Sequence, residues 1–164
     1  VGSKLTAKAS TWEPKASKST FSWYIGDAAA PSATGTSFTL PASAAGKKIR
    51  LVMTGEKANY LTATSQVWTT TVAKGTISAG TPSISGTVKP KATVKVSAGR
   101  WGPAPVTLKY QWFVGSTAIK GATKSSYKVP KKYRNKKIRV RVTGSKSGYT
   151  TVVRYSAFKK VAKK

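Results

Sequence analysis

The chain repeats itself. Sliding its 164 residues against themselves by 89 positions aligns Trp12 with Trp101, Pro14 with Pro103, Trp23 with Trp112, Gly26 with Gly115 and Pro41 with Pro130. The register holds through Lys47-Lys48-Ile49-Arg50 against Lys136-Lys137-Ile138-Arg139, Thr54-Gly55 against Thr143-Gly144, and Tyr60 against Tyr149. Conservative pairs fill the intervals, among them Phe21 with Tyr110, Tyr24 with Phe113 and Phe38 with Tyr127. Self-similarity at a fixed period means one structural unit written twice. It divides the chain into residues 1–75 and 76–164. The second copy opens at Thr76 with TISAGTPSISGTVKPKATV, whereas Val1 is already level with Pro90. The first copy is therefore expected to lack its opening strand, with a further repeat or another domain upstream. Residues 73–80, AKGTISAG, read as a short linker with little bulk to order it.

Within the second copy the hydrophobic period is two, the mark of half-buried strands in antiparallel sheets. Ile138, Val140 and Val142 alternate with Lys137, Arg139 and Arg141; Leu108, Tyr110, Trp112 and Val114 alternate with Lys109, Gln111 and Phe113. Val94 and Val96 frame Lys95, and Tyr127 and Val129 frame Lys128. No segment sustains a helical period. Turn chemistry interrupts the strands at Gly99–Pro105, Gly115-Ser116, Gly121-Ala122 and Ser147-Gly148. Short strands at such spacing, with an inward Trp on the third, predict an all-β fold: two tandem immunoglobulin-like antiparallel β-sandwiches. The chain has no Cys, so no disulfide can back that Trp, and each core must rest on apolar burial at about 25 cal/mol per Å².

Several of these segments resemble a known family. A Ser or Gly two residues before Trp12 or Trp101, the run YQWFVGSTAIKGATKSSYKV and the run KKIRVRVTGSKSGYTTV are similar to the bacterial Ig-like tandem repeats of secreted and surface proteins of Gram-positive actinobacteria. The resemblance covers nearly the whole chain, twice. It implies a spacer or attachment module trailing a hydrolase, adhesin or wall-lytic enzyme, and a secreted or cell-surface, bacterial extracellular location. Where that family often carries an Asp before a Gly-Lys step, Ala44 and Tyr133 stand here.

Charge bears on function. Thirty Lys and Arg face three acids, Glu13, Asp27 and Glu56, with no His. Residues 1–75 hold nine of the basic residues and all three acids; residues 76–164 hold 21 basic residues and no acid. Such a surface attracts polyanions at range. The same inventory argues against catalysis, which most often needs His, Asp or Glu as general acid or base. Three scattered carboxylates without His or Cys build neither a zinc cage nor a calcium loop, and no phosphate-loop motif occurs, so no cofactor is expected. No run approaches the roughly 18 apolar residues of a membrane helix, and residues 1–20 lack the features of a signal peptide. A soluble, processed or excised piece is expected.

The candidate site follows. Lys109, Lys137, Arg139, Arg141 and Arg154 are expected to project from one sheet of the second repeat and Lys95 and Lys128 from the other, with the tail from Lys159 to Lys164 extending the field beyond the folded body. Trp23 and Trp112 read as core. Trp12 and Trp101 either plug the open end of each sandwich or offer a platform to a sugar ring. Tyr24 and Phe113 fall on the polar face and, with immunoglobulin-type strand pairing, lie near Arg50 and Arg139, as cross-strand packing pairs, cation–π partners or members of an exposed aromatic platform. Trp68 has no aromatic counterpart at the repeat offset, because Ala157 stands there. Three readings result: electrostatic attachment to anionic cell-wall polymer or acidic polysaccharide, a passive stalk appended to a secreted enzyme or adhesin, and non-specific nucleic-acid binding. A charge run on a solvated face also blunts edge-strand aggregation without any partner.

Overall fold

A computed structural model describes residues 1–8 and 11–163. Ser10, one of the positions carrying the family resemblance, and Lys164 of the basic tail lie outside the described residues. The chain is all-β, with antiparallel pairing within the sheets of each unit, and it divides into two compact units: residues 1–75 with Ser147–Tyr149, and residues 76–146 with 150–164.

The first unit contains β1 (Lys4–Thr6), β2 (Lys18–Ile25), β3 (Ala33–Thr34), β4 (Ser37–Thr39), β5 (Ile49–Glu56) and β6 (Ala63–Trp68). Strands β3-β2-β5-β6 form one sheet in that order, and β1 pairs with β4 in a second. Strand β5 carries the period-two signal: Ile49, Leu51 and Met53 are buried while Arg50, Val52 and Thr54 are partly exposed. The inward residues meet Trp23 of β2, which stacks on Phe38 of β4 at 5.9 Å between ring centroids. Trp23 Nε1 donates to the Gly35 carbonyl at 2.8 Å, which satisfies the indole's one polar group.

After β7 (Gly75–Thr76), the second unit runs through β8 (Ser78–Ala79), β9 (Ser83–Ser85), β10 (Thr93–Ser97), β11 (Trp101–Gly102), β12 (Thr107–Val114), β13 (Thr117–Ala118), β14 (Ser126–Lys128) and β15 (Lys137–Ser145); β16 (Tyr149–Thr150) begins in the residues assigned to the first unit, and β17 (Val152–Tyr155) and β18 (Lys159–Lys160) complete the second. Strands β14-β10-β9 make one sheet, β11 pairs with β8, and β13-β12-β15-β17 make the other, with β18 also on β15. Val94, Trp112, Val129, Ile138 and Val140 fill the space between the two larger sheets. Trp112 stacks on Tyr127 at 5.4 Å and donates Nε1 to the Lys124 carbonyl at 3.0 Å. These contacts stand 89 residues from the Trp23–Phe38 stack and the Trp23–Gly35 hydrogen bond. The β12–β13 hairpin closes through Gly115-Ser116, two residues between the paired Val114 and Thr117, with Gly115 at φ 56°, a left-handed conformation that favours glycine.

The basic tail is part of the body. Strand β18 pairs Lys160 with Lys137 and Lys159 with Ile138. Val161 is fully buried in the second core, its N–H donating to the Lys136 carbonyl at 2.9 Å. The expectation of a charged extension fails through Lys160 because Val161, set within KKVAKK, anchors the strand.

Candidate functional site

Residues paired across antiparallel strands share a face, so register alone sorts the outer surface of the second unit's larger sheet. Phe113 pairs with Arg139, Gln111 with Arg141 and Lys109 with Thr143. Arg141 in turn faces Tyr155, and Thr143 faces Val153. Lys109, Lys137, Arg139 and Arg141 therefore stand on one surface. Arg154 does not join them: it pairs with Val142, a core residue, and alternation along β17 gives the outer position to Tyr155. Lys95 and Lys128 are exposed on the opposite sheet, with Lys95 level with Ser126 and Lys128 with Thr93.

The two arginines are not free cations waving in solvent. The Arg139 guanidinium lies 4.4 Å from the Tyr155 ring, 4.7 Å from Phe158 and 5.7 Å from Phe113, and Arg141 lies 5.7 Å from Phe113. Phe113 meets Tyr155 edge-on at 5.9 Å. Phe113, expected as an exposed platform, is 8% exposed, because the arginines and Tyr155 cover it from the outer side. The Nε atoms of Arg139 and Arg141 are buried without a hydrogen-bond acceptor, a cost offset in part by ring faces that accept N–H weakly.

Phe158 reaches this cluster through a change of register. Arg141 pairs with Tyr155, yet Ile138 pairs with Lys159, so two residues of β15 face three of the partner segment, which is a β-bulge. Ser156 stitches it: its hydroxyl accepts from the Val140 N–H at 3.0 Å and donates to the Ala157 carbonyl at 3.0 Å.

The first unit carries the simpler version. Arg50 pairs with Tyr24 on one side and Trp68 on the other, with its guanidinium 4.3 Å from Tyr24 and 5.6 Å from Trp68. Arg50 Nη2 also donates to the Ala28 carbonyl at 3.2 Å. Tyr24, expected as a platform, is half-buried under that cation. The bulge makes Phe158 the counterpart of Trp68, correcting the reading that Trp68 has none.

Trp12 and Trp101 lie on strand glycines. A side chain at Gly55 would meet the Trp12 ring at 2.9 Å, and one at Gly144 would collide with the Trp101 ring. Trp101 Nε1 donates to the Ala98 carbonyl at 2.9 Å. Each tryptophan thus lays one ring face against strand backbone and remains partly exposed; Trp12 also borders a hollow of about 100 Å³ with Tyr60 and Leu61.

Beside the cationic face runs a groove of about 570 Å³, lined in part by Lys109, Gln111, Arg141 and Thr143. Directly opposed on the same sheet stand Lys137 and Lys160. With no acid among residues 76–164, no side-chain counter-ion exists within the unit. In the first unit Glu56 pairs with Lys18 at 3.6 Å in solvent. Among the described residues no three His, Cys, Asp or Glu side chains gather as a metal site, and no helix is long and apolar enough to cross a membrane.

Sequence reasoning missed Tyr155 and Phe158. Tyr155 is signalled by period two from Val153; Phe158 is not, because nothing in the spacing announces the bulge. Comparison with known proteins found no matching family model and no matching curated protein. Among solved structures, the three N-terminal domains of the bacteriophage RB49 Highly Immunogenic Outer Capsid protein (Hoc) are similar at 18% identity and a TM-score of 0.36, over 97% of this chain and 53% of that one. The chain thus spans about half the length of that structure, and the likeness is too slight to carry an argument.

Proposed function

We propose that this chain is a non-catalytic attachment module of a secreted or cell-surface protein, built as two immunoglobulin-like sandwiches of the bacterial tandem-repeat kind. The second unit binds an anionic polymer of the cell wall, or an acidic polysaccharide, electrostatically. The observation that carries this reading is the opposed pair Lys137–Lys160 in a unit without one carboxylate side chain. Like charges directly opposite on a sheet destabilise it. A polymer of phosphates or carboxylates laid across Lys109, Lys137 and Lys160 relieves that repulsion and releases condensed counterions from itself.

The rings around Arg139 and Arg141 hold the guanidinium planes in place, so the anion meets a cation already ordered. Pre-organisation of this kind lowers the entropic cost of binding.

Co-sedimentation with purified Gram-positive wall tests the reading. Retention is expected on intact wall and lost after acid stripping of its phosphate polymers. Equal retention on stripped wall contradicts it.

A further inference from the structure

The outer sheet of the first unit ends in a hollow that the electrostatic reading does not use. It measures about 840 Å³ and is lined by Ile25, Gly26, Asp27, Ala28, Lys47, Lys48 and Trp68. Trp68 is 40% exposed, a large apolar side chain left in solvent at the end of β6. Its position is fixed from beneath. Arg50 pairs with Trp68 across the sheet, lies 5.6 Å from the ring, and reaches over to the Ala28 carbonyl. One guanidinium thereby ties the strand that carries the indole to the Gly26–Ala28 turn that carries Asp27. Asp27, Lys47 and Lys48 are exposed at the rim.

The second unit lacks this combination. Lys136 and Lys137 repeat Lys47 and Lys48, but Ser116 stands at the position of Asp27, and Phe158 replaces Trp68 beside the arginine. The carboxylate and the indole belong to the first unit alone.

We infer that the hollow between Trp68 and the Asp27 turn is a saccharide-binding site for a pyranose ring of a neutral or N-acetylated glycan. A pyranose offers an apolar patch of C–H bonds on one face and a rim of hydroxyls that both donate and accept. The exposed indole matches the patch. The Asp27 carboxylate accepts hydrogen bonds from hydroxyls and the Lys47 and Lys48 ammonium groups donate to hydroxyl oxygens, the few convergent polar groups that orient a ligand in a concave site. With a carboxylate set between two ammonium groups, the hollow offers a polyanion much less than the carboxylate-free face of the second unit. The site is independent of the cationic face, and salt separates the two: hydroxyl hydrogen bonds and ring stacking release no condensed counterions, so affinity here is flat with ionic strength while polyanion affinity falls.

The test is a titration of the intact chain, followed by the indole N–H resonances of its tryptophans, with an N-acetylglucosamine tetrasaccharide and a glucose tetrasaccharide. At least one sugar is expected to shift the Trp68 resonance saturably, with affinity unchanged between low and high salt. Trp68→Ala is expected to abolish binding and Asp27→Asn, at an exposed turn position that bears no core packing, to weaken it at least about tenfold, equivalent to 1.4 kcal/mol. The resonance of Trp23, in the core of the first unit, reports that each variant is folded. No saturable shift of Trp68 by either sugar up to about 10 mM, a shift confined to Trp12 or Trp101, or full affinity in folded Asp27→Asn overturns the inference.

Discussion

Phe158 lies over the Arg139 guanidinium at 4.7 Å, in the place where Trp68 flanks Arg50 in the first unit. One extra residue between Tyr155 and Lys159 brings it there. Each unit thus holds an arginine between rings, even at the place where the straight repeat offset is broken.

Phe158→Ala is expected to destabilise the second unit by about 0.5–1 kcal/mol, the worth of an exposed cation–π contact. Phe158→Trp is expected to be neutral or slightly stabilising. Urea unfolding followed through tryptophan emission gives both values, and an unchanged midpoint in Phe158→Ala removes the contact's role.

Gly144→Ala and Gly55→Ala each force a methyl group into a tryptophan ring already resting on the strand. Overpacking of this sort costs about 1–3 kcal/mol, with the larger loss expected at Gly144, where Trp101 sits closer and Val106 Cγ1 also crowds the site at 3.2 Å. Thermal melts of the two variants check the order.

Trp112→Phe and Trp23→Phe keep a ring in each core but remove the indole donors to the Lys124 and Gly35 carbonyls. Leaving a part-buried acceptor unpaired is expected to lower stability by about 1–3 kcal/mol. The near-equal effect in both units is the readout of the duplication.

Much of this was legible in the residues. The period-two pattern around Ile138, Val140 and Val142 marked a strand whose inward residues are fully buried, and the same pattern placed Lys109, Lys137, Arg139 and Arg141 together. The nearness of Tyr24 to Arg50 and of Phe113 to Arg139 was expected from immunoglobulin-type strand pairing, and the register pairs them. Three features were not legible. The bulge at Ser156 depends on a hydroxyl replacing a backbone partner, which spacing does not encode. The burial of Phe113 depends on rings from β17 and beyond. Arg154 falls on the inner parity only once the β15–β17 register is known.

Tyr127 is the group whose titration is displaced. Burial, reinforced by Tyr133, pushes its phenol from 10 up to about 12. The unfolded chain therefore releases this proton first as pH rises. Stability from this group is complete below about pH 10 and is lost as pH climbs toward 12. Thermal melts across that window are expected to fall more steeply for the wild-type chain than for Tyr127→Phe, and parallel curves contradict the assignment.

The central claim is that exposed cations of the second unit hold an anionic polymer. Its most direct measurement is the dependence of the binding constant for purified phosphate-bearing wall polymer on salt, compared between the wild-type chain and Lys109→Gln/Lys137→Gln/Lys160→Gln. The wild-type logarithm is expected to fall linearly with the logarithm of salt concentration, and the triple variant to bind more weakly with a slope reduced by about one per lysine removed. A wild-type slope near zero, or a slope unchanged by removing the three lysines, contradicts the account.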